Sequence, residues 1–261
     1  MITSLRNDRI KFVRALSQRK TRQKEGRFFV EGTRLIEDAL AAGVRPDYAL
    51  FTGREDDRRR RLLRRLAERG VEAIEVSRAV MAACSEAETP PGLLAVVPFP
   101  HLEPPPRPTL LLIADALRDP GNLGTLLRSA AASGVDAVLL APETVDAFNP
   151  KVVRGAMGAH FRIPIVAADW EHIASRVLGM QVWVAAAGAQ AVYTQVDWTK
   201  PCALIVGGEA EGAGEPAAKL ATGRVRIPLA RGVESLNAGV AASVILFEAA
   251  RQRDAAGHSH R

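Results

Sequence analysis

Short, continuous apolar runs alternate with helical stretches through the second half of the chain, and this pattern limits the fold more than any other feature. LLLIADAL, DAVLLAP, QVWVAAAG, CALIVGGE and RVRIPL follow one another between residues 110 and 229. Runs that are apolar throughout are buried on both faces, and strands that each need a helical crossover pair in parallel. The expected fold is therefore α/β, a parallel sheet covered by helices on both sides. A weaker version precedes it, in which YALFTG, VEAIEV and LLAVVP are separated by a charged helix and a short one. Between the halves lies PFPHLEPPPRPT, Pro98 to Thr109, a proline-rich stretch suited to a semi-rigid linker. The reading is of two domains, a small α/β domain at 1–98 and a larger one at 109–261, joined by a linker at 99–108. At 261 residues and 48% hydrophobic, the chain has enough apolar material for both cores.

Several function classes drop out. No stretch approaches the run of about 18 apolar residues that a membrane-spanning helix needs. The opening MITSLRNDRIKF places charges where a signal peptide has its apolar region, so the expected compartment is the cytoplasm. Cys84 and Cys202 stand far apart, without a CxxC motif or nearby histidine pairs, and suggest neither a disulfide framework nor a zinc site. His258 and His260 read as part of a solvated polar tail, and no metal is expected.

The net charge of +6 is concentrated at one end: residues 1–108 carry 21 Lys and Arg against 15 Asp and Glu, whereas residues 109–261 carry 14 against 14. Ser4 to Arg34 alone holds ten basic and three acidic residues, with Phe12, Phe28 and Phe29 interleaved. Such a segment suits a polyanion such as a nucleic acid, and Arg9, Lys11, Arg19, Lys20, Arg22, Lys24 and Arg34 are its candidate contacts. The run REDDRRRRLLRRLAERG mixes both signs at helical spacing and reads as a solvated helix face.

In parallel sheets ligands bind at the carboxyl ends of the strands, so the turns leaving them are where chemistry is sought. Three turns are polar. The first lies in ADALRDPGNLGTLLRSAAASG, where Arg118 to Asn122 reads as the turn and a helix from Leu123 to Ser133 carries Arg128, free either to pair with a carboxylate or to serve a site. The second is ALIVGGEAEGAGEP, with Gly207, Gly208 and then Glu209 after a buried strand. The third is IPLARGVESLN, before an apolar helix of which Ala238, Gly239, Ala241, Ala242 and Ser243 leave one side thin enough for a close neighbour. Ser235 and Asn237 are candidate N-caps of that helix. Neither GNLGTL nor GGEAEGAGE has the GxGxxG or Gly-Lys-Ser/Thr spacing of a nucleotide loop, which argues against a nicotinamide oxidoreductase.

Taken together, DPGNLGTLLRSAAASG, LIVGGEAEG and IPLARGVESLNAGVAASVILFEA resemble, in order, the three motifs of the SpoU or TrmH family of RNA ribose 2′-O-methyltransferases, of the SPOUT class. FFVEGTRLIEDAL and TPPGLLAVV resemble the substrate-binding domain of rRNA-directed members. The resemblance implies a C-terminal trefoil knot around S-adenosylmethionine, a homodimer, and methyl transfer to a ribose hydroxyl of rRNA, with tRNA as the alternative substrate and a silent RNA-binding protein as a further one. It assigns catalysis to Asn122, Arg128, Glu209, Ser235 and Asn237: Arg128 acts on the 2′-hydroxyl, Asn122 and Asn237 position the nucleotide, Glu209 organises the site and Ser235 contacts the reacting region. Cofactor contacts fall to Leu204, Ile205, Val206, Gly207, Gly208, Ile227, Pro228, Leu229, Ser235 and Leu236. A guanidinium stays protonated in proteins, so Arg128 suits charge stabilisation better than proton abstraction. FNPKVVRGAMGAHFRIPI departs from the family in having Gly155-Ala156 where a small residue and Ser are common; it leaves Arg154 as a candidate RNA contact and His160 as a structural residue.

Overall fold

The computed structural model describes residues 1–53, 56–209 and 212–257; His258 and His260 lie outside the described residues. In chain order the elements are α1 (Asp8–Ala15), α2 (Arg19–Glu25), β1 (Arg27–Glu31), α3 (Thr33–Ala41), β2 (Tyr48–Phe51), α4 (Asp57–Glu68), β3 (Glu72–Glu75), α5 (Arg78–Cys84) and β4 (Leu93–Pro98). They continue with β5 (Leu110–Asp115), α6 (Pro120–Ala132), β6 (Ala137–Leu140), α7 (Pro150–Ala156), β7 (Ile165–Ala167), α8 (Trp170–Arg176), β8 (Gln181–Ala185) and β9 (Ala191–Val192). The last are β10 (Cys202–Gly207), α9 (Glu215–Leu220), β11 (Gly223–Arg226) and α10 (Ala238–Ala255). No described helix is long and apolar enough to cross a membrane.

Two compact units form; the chain first passes from one to the other inside the proline-rich stretch, and it passes between them twice more where no sequence feature marks it. One unit comprises 1–101 together with 148–161; the other comprises 102–147 and 162–261. After β6 the chain thus lends α7 and a turn of 3-10 helix to the N-terminal unit before returning as β7. Aromatic packing accounts for this loan: Phe148 stacks on Phe99 at 4.1 Å between ring centroids and meets Phe28 edge-on at 5.0 Å, and Val153 and Phe161 join the same core. His160 is 3% exposed among these rings, in the structural place expected of it.

The N-terminal unit has a four-stranded sheet in the order β1-β4-β2-β3. It is mixed rather than all parallel: β2 and β3 are parallel, but β4 runs antiparallel to both neighbours and fills the centre. Leu93 to Val97 are fully buried there, and an apolar run of that kind carries no information about direction. RFFVE, within the basic opening segment, is β1; Phe28 and Phe29 project into the cores on opposite faces, and Phe12 packs partly buried, so these rings hold the fold rather than offering stacking platforms for bases.

The C-terminal unit is the expected α/β fold. Its seven strands, in the order β7-β6-β5-β10-β8-β11-β9, are parallel at every pairing. β5 and β10, both buried along their whole length, form the centre. Ala203 and Ile205 join the core beneath α8 and α9. The alternate residues of β10 face α10, whose Arg253 donates from Nη2 towards Cys202 Sγ at 3.8 Å.

Candidate active site

Parallel strands bring all their carboxyl ends to one edge, and the three polar turns meet there. The strand ends, the loop after β10, the chain before α10 and its first turns border one cavity of about 490 Å³. Of the residues expected around the cofactor, Val206, Gly207, Gly208, Ile227, Leu229, Ser235 and Leu236 line it, and of the catalytic candidates Glu209, Ser235 and Asn237 do. Leu204 and Ile205 do not. Both have no exposed surface, lying within β10 among core side chains, so they belong to the sheet that supports the site. Pro228 is exposed and does not line the cavity. Sequence reasoning missed Val184 to Ala187 at the end of β8, Arg224 and Arg226 of β11, and Ala241 and Ile245 of α10; the small residues of QVWVAAAG were the available sign that a strand ends at a space.

The loop after β10 depends on glycine for close approach. A Cβ on Gly207 would stand 2.1 Å from the carbonyl carbon of Gly212 and 2.2 Å from the nitrogen of Ala213, and one on Gly208 would stand 2.9 Å from the oxygen of Ala116. The loop closes on itself where the Gly212 amide donates to the Gly208 carbonyl at 2.9 Å. Its far end is tied to the sheet by Asp115, 5% exposed at the end of β5, whose Oδ2 accepts from the Gly214 amide at 2.7 Å. Asp115 is a positioning residue that no motif reading named; its only mark in the sequence is a carboxylate ending the run LLLIA.

The first turn is shorter than expected. Asp119 caps α6 by accepting from the Asn122 amide at 2.8 Å, and Pro120 takes the first helical position, where its missing N–H and fixed φ suit the helix. Asn122 therefore lies on the helix, not in the turn, and Arg128 lies about two turns in. At the other helix, Asn237 is the N-cap: its Oδ1 accepts from the Val240 amide at 3.2 Å, while its Nδ2 donates to Asn122 Oδ1 at 2.6 Å. One side chain thus caps α10 and joins it to α6, so capping and site positioning are the same act. Ser235 makes no cap; it borders the cavity two residues earlier.

The thin side of α10 packs on α6. A Cβ at Gly239 would meet Thr125 Cβ at 3.0 Å, and Ser243 Oγ, which donates to the Gly239 carbonyl at 2.6 Å, also hydrogen-bonds Ser129 Oγ at 2.6 Å. Arg128 projects from the exposed flank of α6, outside the cavity lining; among the described residues it has no ion-pair or hydrogen-bond partner, so a structural salt bridge does not account for it.

The basic surface of the N-terminal unit is smaller than its sequence suggests. Arg22 must be withdrawn from the candidate RNA contacts: it is 2% exposed, and its Nη1 donates to the carbonyls of Leu16 and Ser17 at 2.7 Å each, closing the link between α1 and α2. Arg9 pairs with Glu72 at 2.7 Å and lies over the Tyr48 ring, Lys11 pairs with Asp8 at 3.0 Å, and Lys24 stands 3.5 Å from Glu25. Arg154 is exposed and donates to the Glu86 carbonyl at 3.2 Å. Arg19, Lys20 and Arg34 are exposed and have no partner among the described residues.

Comparison with known proteins identifies the family. Residues 109–247 match the SpoU rRNA Methylase family, and residues 7–95 match the MRM3-like substrate binding domain. The 23S rRNA (guanosine(2553)-2′-O)-methyltransferase RlmP of Bacillus subtilis is 36% identical, over 94% of this chain and 97% of its own. Human rRNA methyltransferase 3, mitochondrial, is 34% identical over 91% of this chain and 70% of its own. Among solved structures, the SpoU methyltransferase AviRb of Streptomyces viridochromogenes, in complex with the cofactor AdoMet, superposes with a TM-score of 0.85 at 32% identity, covering 95% of this chain and 99% of that one. With its strand-end cavity, its paired asparagines and these matches over both units, the chain belongs to the SpoU rRNA methylase family.

Proposed function

We propose that the protein transfers a methyl group from S-adenosylmethionine to a ribose 2′-hydroxyl of rRNA. The observation that carries this reading is the hydrogen bond of Asn237 to Asn122 at the rim of the cavity, because it binds the first and third motifs into one structure beside the glycine loop of the second. The wall fits a nucleoside cofactor: it has apolar surface from Val206, Ile227 and Leu229, and a backbone that Gly207 and Gly208 leave bare. Held by the strand-end wall of Val206, Gly207, Gly208, Ile227 and Leu229, S-adenosylmethionine would supply an electrophilic methyl group to the ribose oxygen. The chain's part is alignment of a weak nucleophile and stabilisation of charge on its oxygen. Asn122 and Asn237 fix the rim, Ser235 and Glu209 border the reacting region, and Arg128 holds the nucleotide by its permanent charge.

Arg128 lies outside the lining, and this supports a homodimer in which the arginine and the cavity are brought into use together; Val240 and Phe247, 45% and 51% exposed on α10, give such an assembly apolar surface. The same reading expects the passage from β10 to α10 to be knotted. The return of α10 from β11 to the helix after β5, three strands away in the sheet, supports it. Arg19, Lys20 and Arg34 are the RNA contacts that the N-terminal unit leaves open, and the match to a substrate-binding domain of rRNA methyltransferases favours rRNA over tRNA.

The test is transfer of labelled methyl to deproteinised rRNA, to tRNA and to isolated ribosomal subunits from cells lacking the gene, with Arg128→Ala alongside. Label on an rRNA ribose is expected, lowered about 100-fold or more in the variant while cofactor affinity is retained. Label on tRNA alone would overturn the substrate; a variant with weakened cofactor binding and normal turnover at saturation would overturn the role of Arg128.

A further inference from the structure

Two cations border the cavity wall beside the residues that face the reacting groups. Arg224 and Arg226 are two residues apart on β11, so the pleat of the strand sends both side chains to the same face of the sheet, and both border the cavity. Among the described residues neither guanidinium has a hydrogen-bond or ion-pair partner. Among the described residues the one carboxylate that borders the cavity is Glu209, which pairs with neither of them. Arg253 shows how this unit treats a guanidinium that it buries for structural reasons: it donates to the carbonyls of Trp198, Thr109 and Lys200 at 2.7 to 3.1 Å. Arg226 is half-buried and Arg224 exposed at the mouth of a mostly apolar recess, and among the described residues neither has such acceptors, so both guanidinium groups are free to meet an anion that enters it.

Resting on the methyltransferase reading, we propose that Arg224 and Arg226 receive the α-carboxylate of the cofactor's methionine moiety and so make the enzyme select the intact amino-acid end. The electrostatics decide which part of the molecule they face. A sulfonium is cationic and is repelled by two guanidinium groups, and adenosine is neutral and suits the apolar and glycine-lined parts of the wall; the carboxylate is the one anionic group. Arg224 is also set low. Its backbone is paired with Val184 inside the β8–β11 ladder, below the strand-end loops that a polynucleotide backbone would meet first.

Calorimetric titration of the full chain with S-adenosylmethionine and with decarboxylated S-adenosylmethionine tests this, because the second ligand keeps the sulfonium and the amine and lacks only the carboxylate. The wild type is expected to prefer the intact cofactor about tenfold or more, as two charge-assisted contacts imply. In R224Q/R226Q that preference should vanish while affinity for the decarboxylated ligand stays within about twofold, and R224K/R226K should regain part of it. A double variant that keeps the wild-type preference, or that weakens both ligands equally, overturns the proposal. Preserved preference with weakened rRNA binding would assign the pair to a phosphate instead. A wild type that binds neither ligand would overturn the methyltransferase reading itself, which is a separate result.

Discussion

Gly207 shows how much one missing methyl group can decide. The atoms that a Cβ would strike belong to the backbone of Gly212 and Ala213, which cannot rotate aside as a long side chain would. Gly207→Ala is therefore expected to open the loop and lower cofactor affinity by about 100-fold, with a smaller loss of melting temperature, checked by titration and by thermal unfolding of the same sample. The glycine was legible as a turn residue following a buried strand, but its closeness to Gly212 was not, because that contact is made by a loop folding back on itself. Asn237 was half legible: its cap could be read from position, whereas its bond to Asn122 joins residues 115 apart in the chain. Arg224 and Arg226 escaped notice because RVRIPL was grouped with the apolar runs of the sheet, where its two basic residues were given no role.

Helix starts place the chemistry at the level of the element. Asp119 holds the first turn of α6, and through it Asn122 and the bond to Asn237. Asp119→Ala should cost about 1 kcal/mol of stability by loss of the cap and should slow methyl transfer at saturating substrates, since the asparagine pair is no longer fixed; chemical denaturation and single-turnover rates measure the two effects. Unchanged turnover in a destabilised variant would show that the cap serves stability alone. The strands of the C-terminal unit were legible because being apolar throughout and buried on both faces are one property, and β5 and β10 have it in full. Direction was not legible. β4 has the same apolar character, yet it enters its sheet antiparallel, as pairing depends on where the preceding chain arrives and not on side-chain polarity. β1 was hidden by the basic residues on either side of it, and the start of α6 by Gly121 and Asn122, which suit a turn as well as a capped helix.

Across the whole molecule, charge counts overstate the surface that can meet RNA. Of the basic residues expected to contact it, Arg22 is interior, Arg9, Lys11 and Lys24 are paired and Arg154 donates to a backbone carbonyl, which leaves Arg19, Lys20 and Arg34 as the open ones. Lys20→Ala is expected to lower the slope of log affinity against log salt by about 0.7 for single-stranded rRNA while leaving stability unchanged. Arg22→Ala should do the reverse, keeping the slope and lowering stability by about 2 kcal/mol as the buried Leu16 carbonyl and the partly buried Ser17 carbonyl lose their donor. Filter binding over a salt series, together with denaturation, separates the two.

The loan of residues 148–161 to the N-terminal unit has a consequence for how such genes can be cut and joined. A catalytic fragment beginning at Thr109 inherits Phe148, Val153 and Phe161 without the core that they fill, and should be aggregation-prone until those three are made polar, which light scattering of the two fragments would reveal. Exchange of the N-terminal half between relatives is accordingly a graft at two places in the coding sequence. A lineage that discards that half has to rewrite this stretch as well, so the history of the substrate-recognition module is recorded inside the catalytic one.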